Sequence, residues 1–308
     1  MALPQYTTAD LIANIKRRCS VPTSQLTYTN EDFSLLANDT LQGEVVPLLM
    51  STREEYFIAY VDLPLPADGV IAIPSGTVGS KVRSVCYLQS STPLSIVNVP
   101  RLDLDVIAGI GPASRNGSIA GFCIQNNNLH FYSYLGIPSG STIRIYYYKR
   151  TLALAQPSKY GRITSINAGT STIVLDALPS DWATGTVLNT VSSTPGFSTT
   201  NELATIVTVS SPSIVLDTVA GMAVGDYISD YGYSAIPQIP IEAHQYLAQL
   251  TAAKCLEGLG DREAMASALK KADVLEQGLL IIISQRVDGS VKKLVNPNGG
   301  LRYRAGLR

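Results

Sequence analysis

Thr172-Ile173-Val174-Leu175-Asp176, with Gly185-Thr186-Val187-Leu188 after it, returns as Ser213-Ile214-Val215-Leu216-Asp217, with Gly225-Asp226-Tyr227-Ile228 after it. The Ile-Val-Leu-Asp units stand 41 residues apart and the two glycines 40 apart. Each unit follows a strand-like stretch, at 161–166 and 204–209. A fixed spacing of this length marks a duplicated supersecondary unit, and two copies are too few for a solenoid. The reading is strand, turn, strand, loop, strand, made twice and packed as a small β-barrel or sandwich. The shared aspartate is expected to cap the turn that follows it; a calcium site built by both copies is the alternative.

Outward from the repeat the pattern changes on both sides. Residues 56–149 alternate short β-branched or aromatic runs (56–61, 70–73, 82–88, 119–124, 129–134, 142–149) with Gly, Pro, Ser and Asn clusters, which predicts strands. Gln125-Asn126-Asn127-Asn128 predicts a hairpin turn. Asp103 and Asp105 alternate with leucines and read as the solvated face of a strand. Before that stretch come helix signals. Thr7 or Thr8 caps a helix carrying Leu11, Ile12 and Ile15, with Lys16-Arg17-Arg18 against its dipole. Thr29 with Asp32 is a capping-box variant opening a second helix, and Pro47 should kink or divide it. After the repeat, Ile236-Pro237-Gln238-Ile239-Pro240 reads as a rigid linker. Helices follow: one over 241–259, then one capped by Asp261 with a stripe of Ala264, Ala268, Ala272, Leu275, Leu279 and Ile282.

The expected fold class is therefore α+β. N- and C-terminal helices form one helical bundle, with a β-rich middle, a duplicated small β-barrel or sandwich inserted in it, and a flexible C-terminal arm. The expected divisions are 1–55, 56–156, 157–235, 236–285 and 286–308. A chain of 308 residues supports several such units.

Charge is distributed unevenly. The net formal charge is only −1. Yet residues 163–240 hold six carboxylates and no cation, whereas 286–308 hold six cations and one carboxylate. The tail has two readings: a solvated, disordered terminus, or an arm that orders on an acidic partner surface in a salt-dependent way. The cation-free stretch argues against DNA binding.

The means for chemistry are sparse. There are two histidines, His130 and His244, and four cysteines spaced without any C-x-x-C. The cysteines read as dispersed buried thiols. The glycine-rich run 109–117 lacks a phosphate-loop ending. Glu54-Glu55 has no sequence neighbour to serve acid–base work. The expectation is no enzyme, no cofactor and no metal. No secretion signal or membrane-length apolar run is visible. Trp182, Tyr227, Tyr231 and Tyr233 are the candidate interface in the β insertion, able in principle to stack on sugars.

Leu26-Thr27-Tyr28-Thr29-Asn30-Glu31-Asp32-Phe33-Ser34-Leu35-Leu36-Ala37-Asn38-Asp39, with Glu44-Val45-Val46-Pro47-Leu48-Leu49 and Arg53-Glu54-Glu55-Tyr56-Phe57, resembles head–tail adaptor (connector) proteins of tailed bacteriophages. So does the order of parts: helices, β insertion, helix pair, basic end. The resemblance implies a structural virion protein in the neck. It implies a homo-oligomeric ring, usually of twelve copies, that docks on the portal protein and extends the DNA channel. Genomic DNA would pass through without specific binding, tail or nozzle proteins would attach below, and no membrane would be involved. Lys292, Lys293, Arg302, Tyr303, Arg304 and Arg308 would be the portal-docking contacts of the arm. The alternative is a β-domain module that binds glycan or virion fibre proteins.

Overall fold

The computed structural model describes residues 6–20, 28–91, 94–103, 119–133, 140–192 and 203–284. It is a mixed α+β protein in which three apolar cores follow three kinds of secondary structure.

The first core is helical and draws on both ends of the chain. Helix α1 (Thr8–Arg18) starts on a capping box: Thr7 Oγ1 accepts from Asp10 N at 3.3 Å, and Asp10 Oδ2 accepts from Thr7 N at 3.0 Å. Helix α2 (Asn30–Thr40) repeats the device with Thr29 and Asp32. It runs through a π-turn (Leu41–Val45) into α3 (Val46–Thr52). Pro47 was expected to kink or divide the rod. The helix is divided just ahead of it: the i→i+5 turn ends at Val45 and α3 opens with Pro47 in its first turn, where the missing N–H costs no hydrogen bond. Helix α4 (His244–Gly258) is buried nearly all round, as befits a central helix. Helices α1, α2 and α5 (Arg262–Ile283) pack against it. Phe33, Leu41, Leu49, Leu247 and Cys255, all fully buried, belong to this one core.

The second core lies between two antiparallel sheets. The larger has the order β1–β7–β3–β4: β1 (Ile58–Pro64), β7 (Thr142–Lys149), β3 (Thr77–Ser91) and β4 (Leu94–Val99). The smaller has the order β2–β6–β5: β2 (Val70–Ala72), β6 (Asn128–Ser133) and β5 (Ile119–Gln125). Asn126 and Asn127 turn the expected hairpin with φ of 48° and 61°, the left-handed pair a two-residue connection requires. Val85, Leu129, Ile143 and Ile145 fill the space between the sheets.

The third core is the duplicated unit, which folds as a closed six-stranded barrel in the order β10–β13–β12–β11–β14–β9. The first copy supplies β9 (Tyr160–Asn167), β10 (Thr172–Leu175) and β11 (Val187–Val191). The second supplies β12 (Leu203–Ser210), β13 (Ser213–Leu216) and β14 (Tyr227–Asp230). The copies are exchanged, because β11 pairs with β12 of the second copy and β14 with β9 of the first. Equivalent residues Ile173 and Ile214 face one another across β10–β13, and equivalent residues Asn189 and Ser229 across β11–β14. A pseudo-dyad thus passes through both pairs. Hydrogen bonds obey it: Gly185 N donates to Ile206 O and Gly225 N to Ile163 O, each at 2.8 Å. Both glycines have positive φ, 89° and 98°, which explains why this residue recurs in both copies.

The shared aspartates do more than cap a turn. Asp176 Oδ1 accepts from Arg162 N and Ala177 N at 2.7 Å each, and Asp217 Oδ1 accepts from Thr205 N at 2.8 Å. Each carboxylate ties the end of its second strand back to the bulge in its first. The backbone N–H of Thr205 holds the Asp217 carboxyl below the usual carboxylate range.

Two short parallel strands, β8 (Ala153–Leu154) and β15 (Tyr233–Ser234), join the barrel's entrance to its exit. The segment 236–240 was expected as a spacer. Pro237 to Pro240 are instead buried, with Gln238 Oε1 accepting from Leu152 N at 2.9 Å. Thr8 N and Oγ1 donate to Ala235 O at 2.8 and 3.1 Å, which ties α1 to the barrel's exit. The barrel is also not free of cations. Lys159 pairs with Asp181, and Arg162 lies within β9. The cation-free stretch begins inside the first strand, so residues 157–235 carry two cations and six carboxylates.

Candidate functional site

The arm residues Lys292, Lys293, Arg302, Tyr303, Arg304 and Arg308 lie outside the described residues, as do Asp105 and the glycine-rich run 109–117. The last turn of α5 is closed by Ser284 N donating to Leu280 O at 3.0 Å.

The four aromatic candidates of the barrel divide. Trp182 is 5% exposed and belongs to the barrel core with Ile163, Leu188 and Ile228. Its indole N–H faces the Asp230 carboxyl closely enough to lower that acid's pKa, yet short of full hydrogen-bond geometry. Burial outweighs this and pushes the Asp230 carboxyl up. Tyr227 is 8% exposed and packs edge-on against Tyr160, ring centroids 6.0 Å apart. These two rings are consumed by folding, so in the single chain they are closed to a sugar. Tyr231 and Tyr233 are exposed, and Tyr231 N donates to Val187 O at 3.0 Å.

The second uncovered surface is the outer side of α5. Ala268, Ala272, Leu279 and Ile283 are buried. Ile282, expected on that stripe, is turned out instead, and Ile283 takes its place one turn beyond Leu279. Val274 and Ile281 are each 68% exposed. Seven residues apart, they share a face.

The remaining chemistry-bearing side chains are absorbed into structure. Glu54 gains partners distant in sequence: Tyr148 Oη donates to it at 2.6 Å and Arg83 approaches to 3.4 Å. His130 is a sheet residue opposite Val70 and Cys123. His244 is buried against the Tyr6 ring, centroids 5.0 Å apart, and burial pushes its pKa down. All four cysteines are free and buried. Cys19 and Cys255 meet between α1 and α4, where the hydrogen bond between them and then burial push the Cys19 thiol up. Among the described residues no three His, Cys, Asp or Glu side chains gather as metal ligands. None of the described helices is long and apolar enough to cross a membrane.

No family model matches the chain, and no curated protein matches it.

Proposed function

We propose that this chain is a structural virion protein, a ring-forming head–tail adaptor. It docks on the portal, extends the DNA channel and offers the tail its attachment surface. The observation that carries the reading is the division of labour in the fold. The two ends of the chain share one helical core, which we read as a single bundle. The sheets and the barrel are presented from that base, and the long α5 keeps Val274, Ile281 and Ile282 uncovered. Apolar side chains aligned on an exposed helix face are expected to be covered by another surface. A neighbouring copy in a ring, of twelve in the family it resembles, would cover them. The stretch that carries the resemblance includes the α2–π–α3 rod, which packs on α4.

The arm over 286–308 is the portal contact in this reading, through Lys292, Lys293, Arg302, Tyr303, Arg304 and Arg308. The acidic barrel suits either a channel wall or an outer surface that must not hold DNA. Deleting 286–308 should weaken portal binding, and the difference should shrink as salt rises. Unchanged binding at low salt refutes the arm's role.

A second reading, a module for glycan or fibre protein, is favoured by the exposure of Tyr231 and Tyr233, two residues apart in sequence. A glycan array without a hit, together with unaltered fibre binding by Y231A/Y233A, removes it.

A further inference from the structure

Arg18 is held in an unusual way. Its Nε donates to Asn14 Oδ1 at 3.1 Å, and its two terminal nitrogens donate to Gln249 Oε1 and Gln245 Oε1. Gln249 is 5% exposed, and its own Nε2 donates to Ala268 O at 3.2 Å, so its oxygen is fixed toward the guanidinium. All three acceptors are neutral amides. Among the described residues no carboxylate lies within ion-pair distance of Arg18. A half-buried arginine is ordinarily neutralised by a carboxylate. Here amides orient the guanidinium and leave its charge intact, with two of its five N–H groups uncommitted among the described residues.

Arg18 lines a cleft of about 280 Å³ between the end of α1, α4 and α5. Lys271, on α5, also lines it, exposed and without an ion pair among the described residues. Ser20 and Ser267 add hydroxyls. The one carboxylate of the lining, Asp261, is engaged as the cap of α5, its Oδ1 accepting from Ala264 N at 2.9 Å. The volume lies just under the ~300–1,000 Å³ usual for small-molecule pockets, so the space suits a small group. We propose that this cleft binds an oxyanion, a phosphate or carboxylate group, with Arg18 as the oriented donor and Lys271 as the second cation. Arginine's planar fork matches both groups. The proposal stands apart from the ring reading, since it needs only the single chain.

The test is the thermal midpoint of the full chain, titrated with inorganic phosphate and, in a second arm, with acetate, each against sodium chloride at equal ionic strength. A ligand that binds only the folded state raises the midpoint saturably. Wild type should show that rise in at least one arm. R18Q should weaken binding at least tenfold, through loss of the charged donor. K271Q, an exposed substitution that leaves the fold intact, should weaken it about two- to fivefold. A response to phosphate alone assigns the site to a phosphate-bearing ligand, and an equal response to acetate assigns it to carboxylates. No saturable rise in either arm overturns the proposal. So does a rise that K271Q leaves unchanged, which decides the matter even where R18Q fails to fold.

Discussion

The pseudo-dyad of the barrel makes a quantitative prediction at Ile173 and Ile214. Both are fully buried, and they are register partners across β10–β13. Their flanks are related by the same exchange, Thr172 opposite Val215 and Val174 opposite Ser213. Truncating a buried isoleucine to alanine costs about 2–5 kcal/mol, transfer and cavity together. I173A and I214A remove equivalent parts of one wall, so their costs should agree within about 1 kcal/mol. In a domain of this size, a loss of ~2 kcal/mol lowers the midpoint by roughly 8–16 °C. The two side chains share a cavity, so the double variant should cost less than the sum, by about 0.5–3 kcal/mol. The assay is built into the chain. Trp182 is the single tryptophan, and it sits in this core, so its fluorescence during urea unfolding reports the barrel. If one substitution costs more than about 2 kcal/mol beyond the other, or if the two simply add, the exchanged two-copy arrangement is refuted.

Two further predictions follow from local geometry. A Cβ on Gly161 would lie 2.3 Å from Ala177 O, a backbone atom that cannot step aside. G161A should therefore lower the fluorescence-detected barrel midpoint sharply, whereas the conservative A204G at the equivalent strand position should cost only about 1 kcal/mol; a harmless G161A contradicts the close approach. Burial pushes Lys149 down to about 8, so between pH 8 and the unfolded value near 10.5 the unfolded chain binds more protons. Stability should rise through that window by up to about 1.4 kcal/mol per pH unit relative to K149M; parallel pH profiles for the two proteins would remove the assigned burial cost.

Local signals read correctly where the physics is local. The repeated Ile-Val-Leu-Asp, the cap at Thr7, the capping box at Thr29 and the Asn126-Asn127 turn each act within a few residues. What escaped is non-local. The exchange of β11 and β14 between copies depends on register across the barrel, and strand β4 carries little alternation, with both Ile96 and Val97 exposed. The fate of Trp182 and Tyr227 depends on which face of a closed barrel they meet, and a tyrosine in sequence looks the same on either. Arg18 met Gln245 and Gln249 only through the packing of α1 on α4, at a separation of more than 200 residues, and Cys19 met Cys255 by the same contact. The basic segment 286–308, by contrast, reads in the sequence as charge alone and lies outside the described residues.

Assembly shows itself in the mass of the full chain in solution. Native mass spectrometry or sedimentation, alone and with portal protein, should find a closed multimer of this chain, at least in the portal complex. V274D/I281D, which places charge on the uncovered face of α5, should leave the chain folded and monomeric. A chain that stays monomeric at every concentration and fails to assemble on the portal contradicts the account.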